Sequence, residues 1–171
     1  GRSSRTFSAA AANDMVGMSG WYLDFTSPVE GERITTASKI INYAVPGLTG
    51  SSMYPITNDP CIPGGRGYLN VLDPFSGASF NFGILDANRD NDFSNDTLTA
   101  PNGTVGFIGS VDVGVGIPTE PLAMGMPGRM KIFIGGSGDP SSPGGPPIVD
   151  ENLKGGEALK GRISWREIVR D

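Results

Sequence analysis

Between residues 85 and 96 the sequence reads LDANRDNDFSND. Oxygen-bearing side chains stand at alternate positions there, Asp86, Asn88, Asp90 and Asp92, with Asn95 and Asp96 close behind. Alternating oxygens in a tightly curled loop converge on one point. A hard divalent cation needs that arrangement, and Ca²⁺ takes about 6–8 oxygens at ~2.3–2.6 Å. Aligned as an EF-hand-type loop, Asp86, Asn88 and Asp90 fill the first, third and fifth positions. Asp92 takes the seventh, which donates its backbone carbonyl, and Ser94 the ninth, through a water. Two positions depart from the pattern. The sixth, normally Gly, is Asn91, and Asn is the non-glycine residue that best tolerates a left-handed backbone. The twelfth, normally a bidentate Glu, is Thr97, with Asp96 one residue earlier. The predicted metal ligands are Asp86, Asn88, Asp90, Asp92 and Asp96, and the predicted cofactor is Ca²⁺. The alternative is a solvated acidic turn, because Asn and Asp favour turns without any metal.

The elements around this loop read as strands. No amphipathic helix flanks it; Phe80, Phe82 and Ile84 alternate before it, which predicts a loop within a β-hairpin rather than between helices. Residues 21–25 (WYLDF) alternate and end at Ser27-Pro28, a strand followed by a turn. Two strands are expected between residues 33 and 45, broken at Pro46-Gly47, and another extended piece over 51–55. A strand over 67–73 is expected to return antiparallel through 78–85. Residues 105–115 read as one glycine-rich strand or two short ones, 130–134 (MKIFI) as a strand, and 162–168 as a terminal strand. Residues 1–19 are small and polar, a loose or partly extended lead-in, and 20–171 form the domain proper. Short strands punctuated by turns at this spacing imply an all-β sandwich or part of a propeller.

Composition narrows the function. The chain has 171 residues, enough for one compact domain. It carries 26 Gly and 14 Pro spread among apolar segments, which favours a turn-rich all-β chain over disorder. Net charge is −5 with no basic patch, so a nucleic-acid partner is not expected. No apolar run reaches the ~18 residues that span a membrane, so membrane insertion is not expected either. Histidine is absent, which removes the commonest general base and transition-metal ligand. Cys61 is the single cysteine and reads as a small buried hydrophobe or a bridge to chain outside this segment; nothing here activates it as a nucleophile. The start at Gly1 reads as a processed product or a fragment.

The order of several blocks resembles the C-terminal region of the PilY1/PilC family, large proteins associated with type IV pilus tips. The blocks are Gly20-Trp21-Tyr22-Leu23-Asp24-Phe25 with Gly31-Glu32-Arg33, then Asn58-Asp59-Pro60-Cys61 with Gly64-Gly65, then Leu69-Asn70-Val71-Leu72-Asp73, and last Ser164-Trp165-Arg166-Glu167. The resemblance implies antiparallel strands forming the last blades of a modified β-propeller, with a calcium loop associated with it. It also implies a non-enzymatic role in pilus assembly, retraction control, surface adhesion and twitching motility. The implied location is extracellular, at the pilus tip or outer surface of a Gram-negative bacterium. The implied partners are the rest of the same propeller or another copy of the chain, minor pilins, and a host or abiotic surface. A calcium-dependent quinoprotein-type propeller enzyme is the alternative.

Other candidates have plainer readings. Trp21 and Trp165 are expected to pack within the sheets rather than form a sugar platform. Arg33 and Arg166 are expected to pair with neighbouring carboxylates such as Glu32 and Glu167. Residues 64–67 (GGRG) lack the helix and lysine of a phosphate cradle. Residues 135–147, rich in Gly, Ser and Pro, read as a long surface loop.

Overall fold

The computed structural model describes residues 2–8, 16–26, 31–43, 45–55, 65–138 and 148–155. Among them the chain is all-β, with antiparallel pairing throughout. The strands in chain order are β1 (Ser4–Arg5), β2 (Arg33–Ile34), β3 (Lys39–Asn42), β4 (Pro46–Pro55), β5 (Gly65–Leu72), β6 (Thr97–Thr99), β7 (Val105–Phe107), β8 (Ser110–Asp112), β9 (Leu122–Met126), β10 (Arg129–Gly135) and β11 (Ile148–Lys154).

A six-stranded sheet runs in the order β1-β8-β5-β4-β2, with β3 also paired to β4. A three-stranded sheet runs β11-β10-β9, and β6 and β7 form a hairpin of their own. Side chains alternate across a strand, so each face of β5 has its own chemistry. Leu69 and Val71 join Val111, Val113 and Val115 on one face, and these meet Ile132, Ile134 and Leu153 of the small sheet in the main core. The opposite face carries Tyr68 and Asn70, buried with Ser52 and Glu32.

That second face is held by a polar network. Arg5 donates to Glu32 through both terminal nitrogens, at 2.6 and 2.9 Å, and to Ser110 Oγ at 3.0 Å. Its guanidinium lies 4.0 Å from the centre of the Tyr68 ring. Ser52 Oγ donates to Glu32, and Asn70 Nδ2 donates to Ser52 Oγ at 2.8 Å. Buried polar groups are stable only when partnered in this way. Glu32 therefore pairs with Arg5 rather than with Arg33, whose Nε donates to the Gly31 carbonyl at 3.2 Å. This corrects the expected neighbour pairing: Glu32 is buried, and the cation that reaches it comes from β1.

Several expected elements differ. Residues 21–25 form no strand. Their large residues alternate because they pack on other parts of the chain: Trp21 Nε1 donates to the Pro74 carbonyl at 2.9 Å, and Phe25 packs edge-on to Phe7 with centroids 6.1 Å apart. Trp21 lies so close to Gly77 that a Cβ there would sit 2.3 Å from its ring. Residues 78–84 also form no strand, although the turn itself closes, with Asp73 N donating to the Ala78 carbonyl at 2.9 Å. Both edges of β5 are already taken, by β4 and β8, so the returning segment has no edge to pair with. Pro46 opens β4 rather than ending a strand, a position where its missing N–H does no harm. The glycine-rich stretch resolves into two short strands, β7 and β8, and MKIFI lies within β10. Strand β11 was not anticipated. Cys61, Trp165 and the expected terminal strand at 162–168 lie outside the described residues, as does most of the surface loop at 135–147.

Candidate metal centre

The acidic loop starts from the small sheet. Leu85 bridges to Leu153 of β11, Asp86 N donates to the Asn152 carbonyl at 3.1 Å, and Lys154 N donates to the Ile84 carbonyl at 2.8 Å. It leaves into β6, with Ile108 N donating to the Asp96 carbonyl at 3.0 Å. The loop is thus not the tip of a hairpin, as its alternating lead-in suggested; it connects an isolated bridge to the β6–β7 pair.

Asx-type hydrogen bonds curl the loop. Asp86 accepts the backbone N–H groups of Asp90 and Asn91, one on each oxygen, both at 3.1 Å. Asn88 Oδ1 accepts Asp90 N at 2.9 Å, Asp90 Oδ1 accepts Asp92 N at 2.7 Å, and Asp92 Oδ1 accepts Ser94 N at 2.9 Å. Among the described residues, Arg89 and Asn91 are the two left-handed non-glycine residues, at φ 66° and 65°. Asn91 thus adopts the conformation that a calcium loop demands of its sixth position. The Asp90 carboxyl is held below its ordinary range, chiefly by the hydrogen bond from Asn95, and Asp92 likewise by Ser94.

Asp96 is different. It is buried, and Oδ1 accepts Ala87 N at 3.0 Å and Asn88 N at 3.3 Å. Oδ2 is buried without a hydrogen-bond partner. Burial pushes its pKa up to about 6, and the charges of Asp86 and Asp90 push in the same direction against those two hydrogen bonds. A buried carboxylate oxygen with no donor, in the field of two further carboxylates, is a group that a cation satisfies. Asn152 Oδ1 on β11 is also buried and unpartnered, while its Nδ2 reaches towards Asp86 and Asn91.

The five predicted ligands therefore fall in one loop, but their carboxylates do not close on a point. Among the described residues no group of three or more acidic, Cys or His side chains is placed to hold a metal unaided. Asn88 and Asn95 stand between them, with Asn88 Nδ2 donating to Asn95 Oδ1 at 2.9 Å and to Asp90 Oδ2 at 3.0 Å. The donor chemistry is oxygen-only and suits a hard cation.

Four residues outside the ligand set hold the loop and were not anticipated. Arg89 Nη2 donates to Glu151 Oε1 at 3.0 Å, Arg129 Nη1 donates to Asn91 Oδ1 at 3.0 Å, and Glu151 and Asn152 lie side by side on β11. The one local signal was Arg89 itself, an arginine set inside a ring of acids.

A relative from Xylella fastidiosa (strain Temecula1), described as a type IV pilus biogenesis factor PilY1 homolog, is 26% identical over 159 residues, 91% of this chain. The chain is similar to that PilY1 homolog along most of its own length. It spans 11% of that relative's length. No family model matches it, and no solved structure matches it. The similarity covers 91% of the chain, so the aligned stretch takes in the acidic loop.

Proposed function

We propose that this chain serves type IV pilus biogenesis as a non-enzymatic, calcium-modulated part of a PilY1-type protein. The observation that carries the pilus reading is the similarity along 91% of the chain to a relative described as a pilus biogenesis factor. In this reading the chain contributes blades to a β-propeller, and the antiparallel meander β9–β10–β11 is one blade. It acts outside the cell, at the pilus tip or outer surface, in assembly, retraction control, adhesion and twitching. Its partners are the remainder of its own propeller or another copy of the chain, the minor pilins, and a host or abiotic surface.

Calcium binds in the loop through Asp86, Asn88, Asp90, Asp92 and Asp96. The unpartnered Asp96 Oδ2 is the main support for this reading. When bound, the ion neutralises the loop's carboxylates. Asp86 and the backbone it receives hold the curl, and Arg89 and Asn152 keep the loop on β11.

A thermal melt in EGTA and in millimolar Ca²⁺ tests the site. A site filled at about 100 times its dissociation constant adds about 2.7 kcal/mol by linkage. The parent melts several degrees higher in calcium, and Asp86→Ala and Asp96→Ala abolish the shift. An unshifted parent makes residues 85–96 a solvated turn. The pilus role is tested separately, by deleting the gene and scoring surface pili and twitching with and without the restored parent gene.

A further inference from the structure

The buried carboxylate of Glu151 joins two parts of the chain that lie far apart in sequence. Glu151 is 1% exposed. Arg2 donates to it through both terminal nitrogens, Nη1 at 2.9 Å to Oε2 and Nη2 to Oε1. Arg89 Nη2 donates to the same Oε1 at 3.0 Å. Arg2 also donates from Nε to the Asp112 carbonyl at 3.0 Å, at the end of β8.

Both arginines sit where this matters. Arg2 precedes β1, whose ladder to β8 consists of two pairs, Ser4 with Val111 and Arg5 with Ser110. So short a ladder depends on its side-chain anchors, Arg2 to Glu151 and Arg5 to Glu32. Arg89 lies between two predicted ligands, Asn88 and Asp90, at φ 66°. A left-handed arginine persists only where the surrounding loop holds it. The curl of the loop is therefore what presents Arg89 to Glu151.

We infer that the chain of ion pairs Arg89–Glu151–Arg2 carries cation occupancy of the acidic loop to the seating of the N-terminal strand β1. This rests on the calcium reading of the loop. With the cation bound, the loop stays curled and Arg89 covers one side of the Glu151 carboxylate. Glu151 is then kept from water, where its attraction to Arg2 is strong. Without the cation the loop carboxylates repel one another, the curl relaxes and Arg89 withdraws. Glu151 opens to water on that side, and Arg2–Glu151 becomes a screened pair of little value. Strand β1 loses one of its two anchors. The coupling is reciprocal, so loosening Arg2 weakens cation binding by the same factor.

Hydrogen exchange read by mass spectrometry on the 171-residue chain tests this, in EGTA and in millimolar Ca²⁺. In the parent, calcium slows exchange both in residues 86–96 and in residues 3–5, the latter on the order of tenfold. Arg89→Ala loosens the loop and binds calcium more weakly, but at saturating calcium exchange in residues 86–96 still slows while the slowing at residues 3–5 is lost. Arg2→Ala binds calcium more weakly than the parent in a direct titration. The relay is overturned if Arg89→Ala retains the calcium response at residues 3–5, or if the parent responds in the loop alone. A parent that shows no calcium response in the loop removes the calcium reading itself, and the relay with it.

Discussion

Arg5 grips Glu32 with two parallel hydrogen bonds at 2.6 and 2.9 Å, across 27 residues of sequence and on the face of the large sheet away from the main core. The Glu32 side chain is wholly buried, and that of Arg5 is 13% exposed. The pair ties β1 to the segment leading into β2, two elements that otherwise meet only through the middle of the sheet. Tyr68, Phe7 and Phe25 enclose the guanidinium.

Removing one partner of such a pair leaves the other charge buried, which costs about 3–5 kcal/mol. Arg5→Ala and Glu32→Ala each lower the unfolding free energy by that order. The joint replacement Arg5→Met with Glu32→Leu recovers most of the loss, because both charges leave together. Equilibrium unfolding of the four proteins checks it; a joint variant as unstable as the sum of the singles contradicts it.

The raised Asp96 pKa has a definite sign in stability. The folded value is about 6 against an ordinary 3.8, so between those values the folded state holds more protons than the unfolded one. Stability in EGTA therefore falls as pH rises across that window, and the penalty is complete above it. Asp96→Asn keeps an oxygen for the Ala87 and Asn88 N–H groups and has no charge to bury. It melts higher than the parent in EGTA at neutral pH, lacks that component of the pH dependence, and gains nothing from calcium. Melts across the window, with and without calcium, decide this.

Gly83 lies under the acidic loop, and a Cβ there would stand 1.5 Å from the carbonyl oxygen of Phe93. Gly83→Ala must lift the loop and costs about 3 kcal/mol as an overpacking change. Gly114→Ala is the control: its φ is +69° but nothing lies within 4 Å, so it pays only the left-handed strain of about 1 kcal/mol. Similar midpoints for the two variants in urea would show that the loop is not pressed onto Gly83.

Strand β9 lies at the end of the small sheet and exposes Leu122, Met124 and Met126 on one row. An apolar edge without charge invites pairing with another chain. Met124 stands opposite Lys131, so Met124→Glu adds a charge that the neighbouring strand accepts. Light scattering at rising concentration shows less self-association for Met124→Glu than for the parent, with the melting temperature little changed. Equal scattering rules out this edge as the sticky one.

Local pattern carried the fold class and much of the loop. The largely apolar stretch MKIFI reads as a strand, and it lies within β10. Asn91 could be read as left-handed because Asn tolerates that conformation, and it is. What local pattern concealed was set from a distance. Strand β11 (IVDENLK) reads as polar, and Glu151 is buried within it only because Arg2 and Arg89 arrive from 149 and 62 residues away. Residues 21–25 alternate like a strand, yet their periodicity serves contacts with Pro74, Gly77 and Phe7.

The placement of β1 also orders events during synthesis. The strands β9, β10 and β11 are neighbours in sequence and in space, so they pair as they emerge. Strand β1 emerges early and has no edge to join until β8 follows, 105 residues after Arg5. At ribosomal speeds of about 5–20 residues per second, that is a wait of roughly 5–20 s. Through it, Arg2 remains a hydrated cation. The first strand of the large sheet is thus among the last to be placed, and the partner of Arg2 on β11 arrives later still.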